Sequence, residues 1–458
     1  MANSFLYDGE TAELARQFTH GTPPDLCDNW QDTEPVLEAH RVLVREFVAN
    51  VPPFPDCMAG RGVVVCAGGH RLFTNAWVCL RMLRRAGCRL PVQFWHLGES
   101  EIDEPMRRLV AEYDAECVDA EQIRELFPAR TLNGWELKPY AILHSPFREV
   151  ILLDADNVPL CDPGFLFETP QYQQHGAIFW PDFGRLEQRR TIWRACEVEY
   201  RDEPEFESGQ LVVDKERCWA ALNLTMHYNE HSDFYYLHVH GDKETFHLAF
   251  HRVGKSYAMP SRGIDALDAT MCQHDFEGRR IFQHRNMDKW HYNGSNRRIR
   301  GFIDEDACRQ FLADLRDRWN GRILWNDSPT TFEDFIIKRV AGNLFDYVRV
   351  GVDSREVELR ADRTIGRGSE RMERAWTVLT VGGQISLVLH GEDSPTCRLV
   401  LKDGKWHGRW YRFERMPIIL APVSGNGRPR DGADSFFVDA VADGSPELTE
   451  SRVQIAGK

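Results

Sequence analysis

Polar turns at Gly21-Thr22-Pro23-Pro24 give way to a spaced set of mostly apolar residues, Val36, Leu37, His40, Leu43, Val44 and Phe47. That spacing predicts an amphipathic helix ending before Pro52-Pro53, which makes residues 1–60 a helical docking segment. A new pattern starts at Gly62-Val63-Val64-Val65-Cys66-Ala67, closed by Gly68-Gly69 and followed by helical spacing through Trp77, Leu80 and Leu83 to Gly87. This reads as strand, turn and helix. A second strand, Leu90 to Trp95, precedes Ser100-Glu101-Ile102-Asp103, which reads as a capping box for a helix through Met106, Leu109 and Tyr113. Two such alternations in roughly fifty residues predict a doubly wound, mostly parallel sheet.

The next strong strand, Glu149-Val150-Ile151-Leu152-Leu153, runs directly into Asp154-Ala155-Asp156. Open α/β sheets bind ligands beyond the carboxyl ends of their strands, so these acids fall where a nucleotide site forms. Further strands are expected at 176–180 and 210–213, and a helix at 243–252. After about residue 340 the pattern changes to short alternating runs: 347–352, 357–360, 376–380, 384–389, 398–401 and 408–413. Gly and Asp turns separate them, as in a small antiparallel β domain. The expected organisation is therefore a docking segment (1–60), an α/β catalytic domain (61–335), a small β domain (340–423) and a polar tail (424–458).

Composition narrows the classes. The 458 residues carry 70 Asp+Glu against 56 Lys+Arg, with no dense basic block to follow a phosphate backbone, so nucleic acid is not an expected partner. Twelve cysteines stand singly without a C-x-x-C, which fits a reducing compartment. No basic stretch followed by an apolar core opens the chain, and no run of about 18 apolar residues occurs. The expectation is a soluble, cytoplasmic protein without a transmembrane segment.

Asp154 and Asp156 offer oxygen ligands to Mg2+ or Mn2+, hard cations that also take phosphate oxygens. D-x-D alone is a weak signal, since two loop carboxylates are usually just solvated; its position after a near-continuous apolar strand strengthens it. His227/His231 and His247/His251 have the i,i+4 spacing of a zinc-binding helix face, but no H-E-x-x-H is present and His238-Val239-His240 breaks the pattern. No G-x-S-x-G marks a serine nucleophile. Gly366-Arg367-Gly368 reads as a turn. Trp376, Trp406, Trp410 and Tyr411 belong to the β domain, where tryptophans serve the core more often than a glycan.

Taken in order, several blocks resemble the fungal-type α-mannosyltransferase family, glycosyltransferase family 71, a relative of the glycogenin-like family 8. They are GVVVCAGGHRLFTNAWVCLRMLRRAGCRLPVQFWHLGESEID, WELKPYAILHSPFREVILLDADNVPLCDP, GAIFWPDF, ESGQLVVDK and GDKETF. They span residues 61–255, with a weaker continuation to about 292. The resemblance implies a GT-A fold (Rossmann-like and mostly parallel), a divalent cation, Mn2+ or Mg2+, and retention of anomeric configuration. It also implies a nucleotide-sugar donor, GDP-mannose first and a UDP-hexose second, and a glycan or other hydroxyl acceptor.

Residue by residue, the resemblance puts Asp154 and Asp156 in the metal-binding motif, with His284 as the later histidine ligand and Lys289 on the diphosphate. Relatives of family 8 read H-x-x-G-x-x-K-P-W, whereas this chain reads H-R-N-M-D-K-W. Gly68, Gly69, Asn75 and Ala155 are implied to line the nucleotide. Lys138 is implied to orient carboxylates or phosphate. Ser208 and Gly209 line the sugar pocket; Asp242, Lys243 and Glu207 are the candidate catalytic groups, with Lys243 standing where family 8 relatives often carry Gln. The alternatives are a nucleotide-sugar hydrolase and a carbohydrate-binding protein with an inactive GT-A domain.

Overall fold

A computed structural model describes residues 34–98, 101–132, 134–292, 296–319, 329–381, 384–391, 395–410 and 413–423. The chain divides into two compact units, Met1–Trp325 and Asn326–Lys458. The polar tail expected at 424–458 and most of the docking segment lie outside the described residues.

The first unit is built on a six-stranded sheet in the order β3-β2-β1-β4-β7-β6. Its strands are β1 (Arg61–Cys66), β2 (Val92–His96), β3 (Ala115–Asp119), β4 (Glu149–Asp154), β6 (Ala177–Pro181) and β7 (Phe206–Asp214), with β5 (Asn157–Pro159) placed elsewhere. β1 to β4 pair in parallel, and β7 runs antiparallel to both of its neighbours. The apolar runs are continuous because both faces are covered. Val63, Val65, Ile151 and Leu153 enter one core with Phe73, Trp77 and Leu80 of the helix Gly69–Arg85. Val64, Val150, Leu152, Leu211 and Val213 point the other way, into a core with Tyr140 and Leu222. The twofold alternation of strand side chains thus divides each strand between two layers.

The expected capping box does not form as written. Ser100 lies outside the described residues, and the N-cap of the helix Glu104–Ala111 is Asp103, whose side chain accepts from the Met106 amide. Glu101 instead turns inward and accepts from the Leu97 amide. The first predicted helix is present at Glu34–Ala49 and buries Leu37 and Val44 against Trp193, Leu224 and Tyr228.

A second, four-stranded sheet has the order β5-β10-β9-β8, with β8 Asp265–Leu267, β9 Thr270–His274 and β10 Arg280–His284. β5 follows the D-x-D directly, and its antiparallel register sets His284 opposite Asn157. Among the described residues no helix is long and apolar enough to cross a membrane.

The second unit contains a seven-stranded antiparallel sheet, β11 (Asn343–Arg349) to β17 (Phe413–Pro422). A helix precedes it at Thr331–Val340, opened by a capping box of Thr330 and Glu333. Ile336, Ile337 and Val340 of that helix join the core of the sheet, so this unit begins with a helix rather than a strand. Trp376, Trp406 and Trp410 are buried in the same core. The side chain of Tyr411 lies outside the described residues.

Candidate active site

The site forms where three chain segments meet. β4 delivers Asp154 at its carboxyl end. The antiparallel pairing of β7 with β4, which sets Leu153 opposite Gln210, brings Glu207, Ser208 and Gly209 alongside. The pairing of β5 with β10 brings His284 to the same place. Asn157 ties these pieces together, donating to the Gly209 carbonyl at 3.0 Å and to Gln210 Oε1 at 2.8 Å. The sequence reading gave Asn157 no role; its position immediately after the motif was the available signal.

Asp154, Asp156 and His284 each present a ligand atom, and all three atoms lie within 4.8 Å of one another. His284 Nε2 is 3.2 Å from Asp156 Oδ1 and 3.8 Å from Asp154 Oδ2. Its other nitrogen, Nδ1, is 3.1 Å from Glu207 Oε1. Burial works against a charge on His284, yet Asp156 and Glu207, one at each nitrogen, raise its pKa to about 10. Burial likewise opposes ionisation of Asp156, but His284 and Lys289 hold its carboxyl well below the usual range. Glu207 is kept below its ordinary value against burial by His284, Lys138 and the Gly209 amide. An imidazole between two carboxylates, one facing the acids and one behind, is the arrangement by which a carboxylate orients a metal-binding histidine.

Two lysines complete the charge balance. Lys138 lies 2.8 Å from Asp154 Oδ1, 3.2 Å from Ser208 Oγ and 3.6 Å from Asp242 Oδ2. Burial disfavours its charge, but Asp154 and Asp242 override that and hold it well above the ordinary lysine range. Lys289 pairs with Asp156. Asp242 is 4 % exposed, and burial, reinforced by Asp154 and countered by Lys138, pushes its carboxyl up. Two carboxylates and an imidazole around one point suit a hard or borderline divalent cation, and two ammonium groups beside them suit a diphosphate.

Three of the expected site residues are engaged differently. Lys243 directs its ammonium to Asp182 at 2.5 Å, Glu205 at 2.9 Å and Glu244 at 3.1 Å, with Asp154 and Asp156 not among its partners. Asn75 is 1 % exposed, and its amide is taken by the backbone of Trp290: Nδ2 donates to the carbonyl at 3.0 Å and Oδ1 accepts from the amide at 2.8 Å. Glu207 uses one oxygen, Oε1, for both His284 and the Gly209 amide, which ties it to the metal-facing histidine.

Gly68 and Gly69 open the helix after β1, Gly69 at a φ of +80°, where glycine is at ease. A Cβ on Gly68 would meet the Glu101 carboxylate at 1.8 Å, so close packing explains this glycine. Ala155 is buried between the two acids. Arg285, given no role by the sequence, is fully buried over the Trp290 ring at 3.8 Å and donates to the Asp288 carbonyl. With Asn75 it fixes the loop that carries Lys289.

Residues 60–202 and 199–284 match the family model described as "Mannosyltransferase putative". The chain is 24% identical over 297 residues to the alpha-1,2-mannosyltransferase MNN2 of Saccharomyces cerevisiae, covering 54% of this chain and 49% of that protein. It is also 24% identical over 323 residues to MNN21, an alpha-1,2-mannosyltransferase of Candida albicans, covering 57% and 48%. The chain thus spans about half the length of these curated relatives. Among solved structures, the mannosyltransferase Ktr4p of S. cerevisiae in complex with GDP aligns at a TM-score of 0.33 with 12% identity, covering 67% of this chain and 97% of that chain. The galactosyltransferase LgtC aligns at 0.32 with 16% identity, covering 43% and 73%. Through the matched segment 60–284 the chain belongs to the family of that model, and the curated relatives it resembles are fungal alpha-1,2-mannosyltransferases.

Proposed function

We propose that the chain is a retaining, divalent-metal-dependent mannosyltransferase that takes mannose from GDP-mannose and passes it to a hydroxyl of a glycan. The observation that carries this reading is the convergence of Asp154, Asp156 and His284 at the carboxyl end of β4, with Lys138 and Lys289 paired to the two aspartates. The donor set fits Mn2+ or Mg2+. A cation held there supplies charge neutralisation for a departing diphosphate.

The chain's own residues account for the remaining tasks. Lys289 exchanges its carboxylate partner for phosphate oxygens as the donor enters. Lys138 stays with Asp154 and Ser208 and holds that carboxylate in orientation. Asp242, buried and near Lys138, accepts from hydroxyls of the sugar. Lys243 positions Asp182 and Glu205 rather than touching the sugar. In the transfer, the bond from the anomeric carbon to the phosphate oxygen breaks while the acceptor oxygen bonds to the same face of that carbon. The acceptor proton passes to the departing diphosphate, so no protein nucleophile is required.

The test is nucleotide release from a panel of GDP- and UDP-sugars, with and without Mn2+, alongside thermal shift. GDP-mannose with Mn2+ is expected to give the greatest release and stabilisation, and Asp156→Asn to abolish both. If no nucleotide-sugar stabilises the chain and Asp156→Asn changes neither readout, the reading fails.

A further inference from the structure

A second set of metal-binding side chains lies outside the site described above and plays no part in the proposed transfer. His247 and His251 stand one turn apart on the helix Lys243–Arg252 and turn their Nε2 atoms to a common point. Glu203, from the segment leading into β7, presents Oε1 to both, at 3.0 Å from His247 Nε2 and 2.5 Å from His251 Nε2. The Tyr257 hydroxyl lies 3.3 Å from His251 Nε2. The two histidine side chains are 0% and 2% exposed, whereas Glu203 is 28% exposed.

We propose that Glu203, His247 and His251 bind a zinc-class transition metal ion. Two imidazoles four residues apart on one helix face plus one carboxylate is a recurrent zinc ligand set. Ligand atoms around a tetrahedral ion with bonds of about 2.0–2.1 Å sit roughly 3.3 Å apart. The three ligand atoms here lie within 4.8 Å of one another, with Glu203 Oε1 3.0 Å from His247 Nε2 and needing to withdraw slightly from His251. The Tyr257 hydroxyl hydrogen-bonds Glu203 as well as lying beside His251, so it orients the carboxylate toward the point the two imidazoles share. Glu203 is the solvent-facing member of the set, so an ion would enter from its side.

The position gives the ion a structural consequence. Glu203 is followed by Glu205, which pairs with Lys243, and by Glu207, which contacts His284. An ion at Glu203 would clamp the start of this segment to the helix and so steady the side chains that reach the transferase site.

The test uses the full chain and zinc alone, without nucleotide. In an Asp156→Asn background, which disables the first cation site, one equivalent of Zn2+ is expected by elemental analysis and titration calorimetry. Glu203→Gln, nearly isosteric and partly exposed, is expected to weaken that binding by about 100-fold, and His251→Gln to do the same. Circular dichroism confirms folding. Should the Asp156→Asn chain fold poorly, Co2+ added to the otherwise unchanged chain serves instead. It is expected to give the intense visible bands of four-coordinate cobalt, absent in Glu203→Gln. Zinc affinity unchanged by Glu203→Gln and His251→Gln, or Co2+ bands insensitive to them, overturns the proposal.

Discussion

Replacing Asn75 with Ala separates two roles for this residue, a nucleotide contact and a brace for the loop that carries Lys289. In the structure both ends of its amide serve the Trp290 backbone, and Trp290 is itself 1 % exposed. Truncation leaves one buried N–H and one buried C=O without a partner, at about 1–3 kcal/mol each. The higher helix propensity of Ala returns roughly 0.5 kcal/mol. The expected net loss is about 2–5 kcal/mol, which at a urea m-value of about 2–3 kcal/mol/M moves the midpoint down by about 1–2 M. Urea unfolding followed by circular dichroism measures it, and hydrogen exchange at the Trp290 amide is expected to quicken in parallel. Donor KM is expected to rise as well, because Lys289 loses its anchor. A variant within about 0.5 kcal/mol of the original that nevertheless binds GDP poorly would refute the brace and put Asn75 on the nucleotide.

Three further outcomes are expected. A Cβ on Gly209 would meet both Glu207 Oε1 and His284 Nδ1 at 2.5 Å, so Gly209→Ala is expected to displace His284 and weaken Mn2+ binding about tenfold or more by calorimetry, with the fold retained. Lys243→Met leaves the 2%-exposed side chain of Glu244 without its cation and is expected to destabilise the chain by about 3–5 kcal/mol in urea unfolding; a large loss of kcat with unchanged stability would contradict this. His390 is fully buried and pushed down to about 3 by that burial, so the unfolded chain holds the extra proton between that value and about 6.5. Its contribution is complete above about pH 6.5 and falls by about 1.4 kcal/mol per unit below it, or about 2 kcal/mol at about pH 5. His390→Leu is expected to remove that part of the acid sensitivity, and equal pH slopes for the two chains would exclude it.

Much of the first sheet was legible because its strands are covered on both faces. Val63-Val64-Val65 and Val150 to Leu153 are uninterrupted apolar runs, as burial on two sides favours. The second sheet was not legible for the opposite reason. β9 and β10 bury Gln273, His274 and Gln283, whose polar groups find distant partners such as the Pro181 carbonyl and the Ile303 backbone. No local periodicity encodes such partners. The same holds for His284, which meets Asp156 across 128 residues through a strand of only three residues; family resemblance, rather than spacing, pointed to it. Asn75 and Lys243 show the complementary limit: a polar residue inside a matching block does not reveal which group takes its hydrogen bonds.

The reversed direction of β7 has one more consequence. β6 and β7 close with Pro181 opposite Phe206, so residues 182–205 leave and return at the end of the sheet where Asp154 stands. Their two ends are fixed by the ladder, and lengthening a loop with fixed ends costs little. Length changes at the exposed residues 187–189 are therefore expected to be tolerated, while the buried Ile192, Trp193 and Cys196 hold the rest of the stretch to the α/β unit.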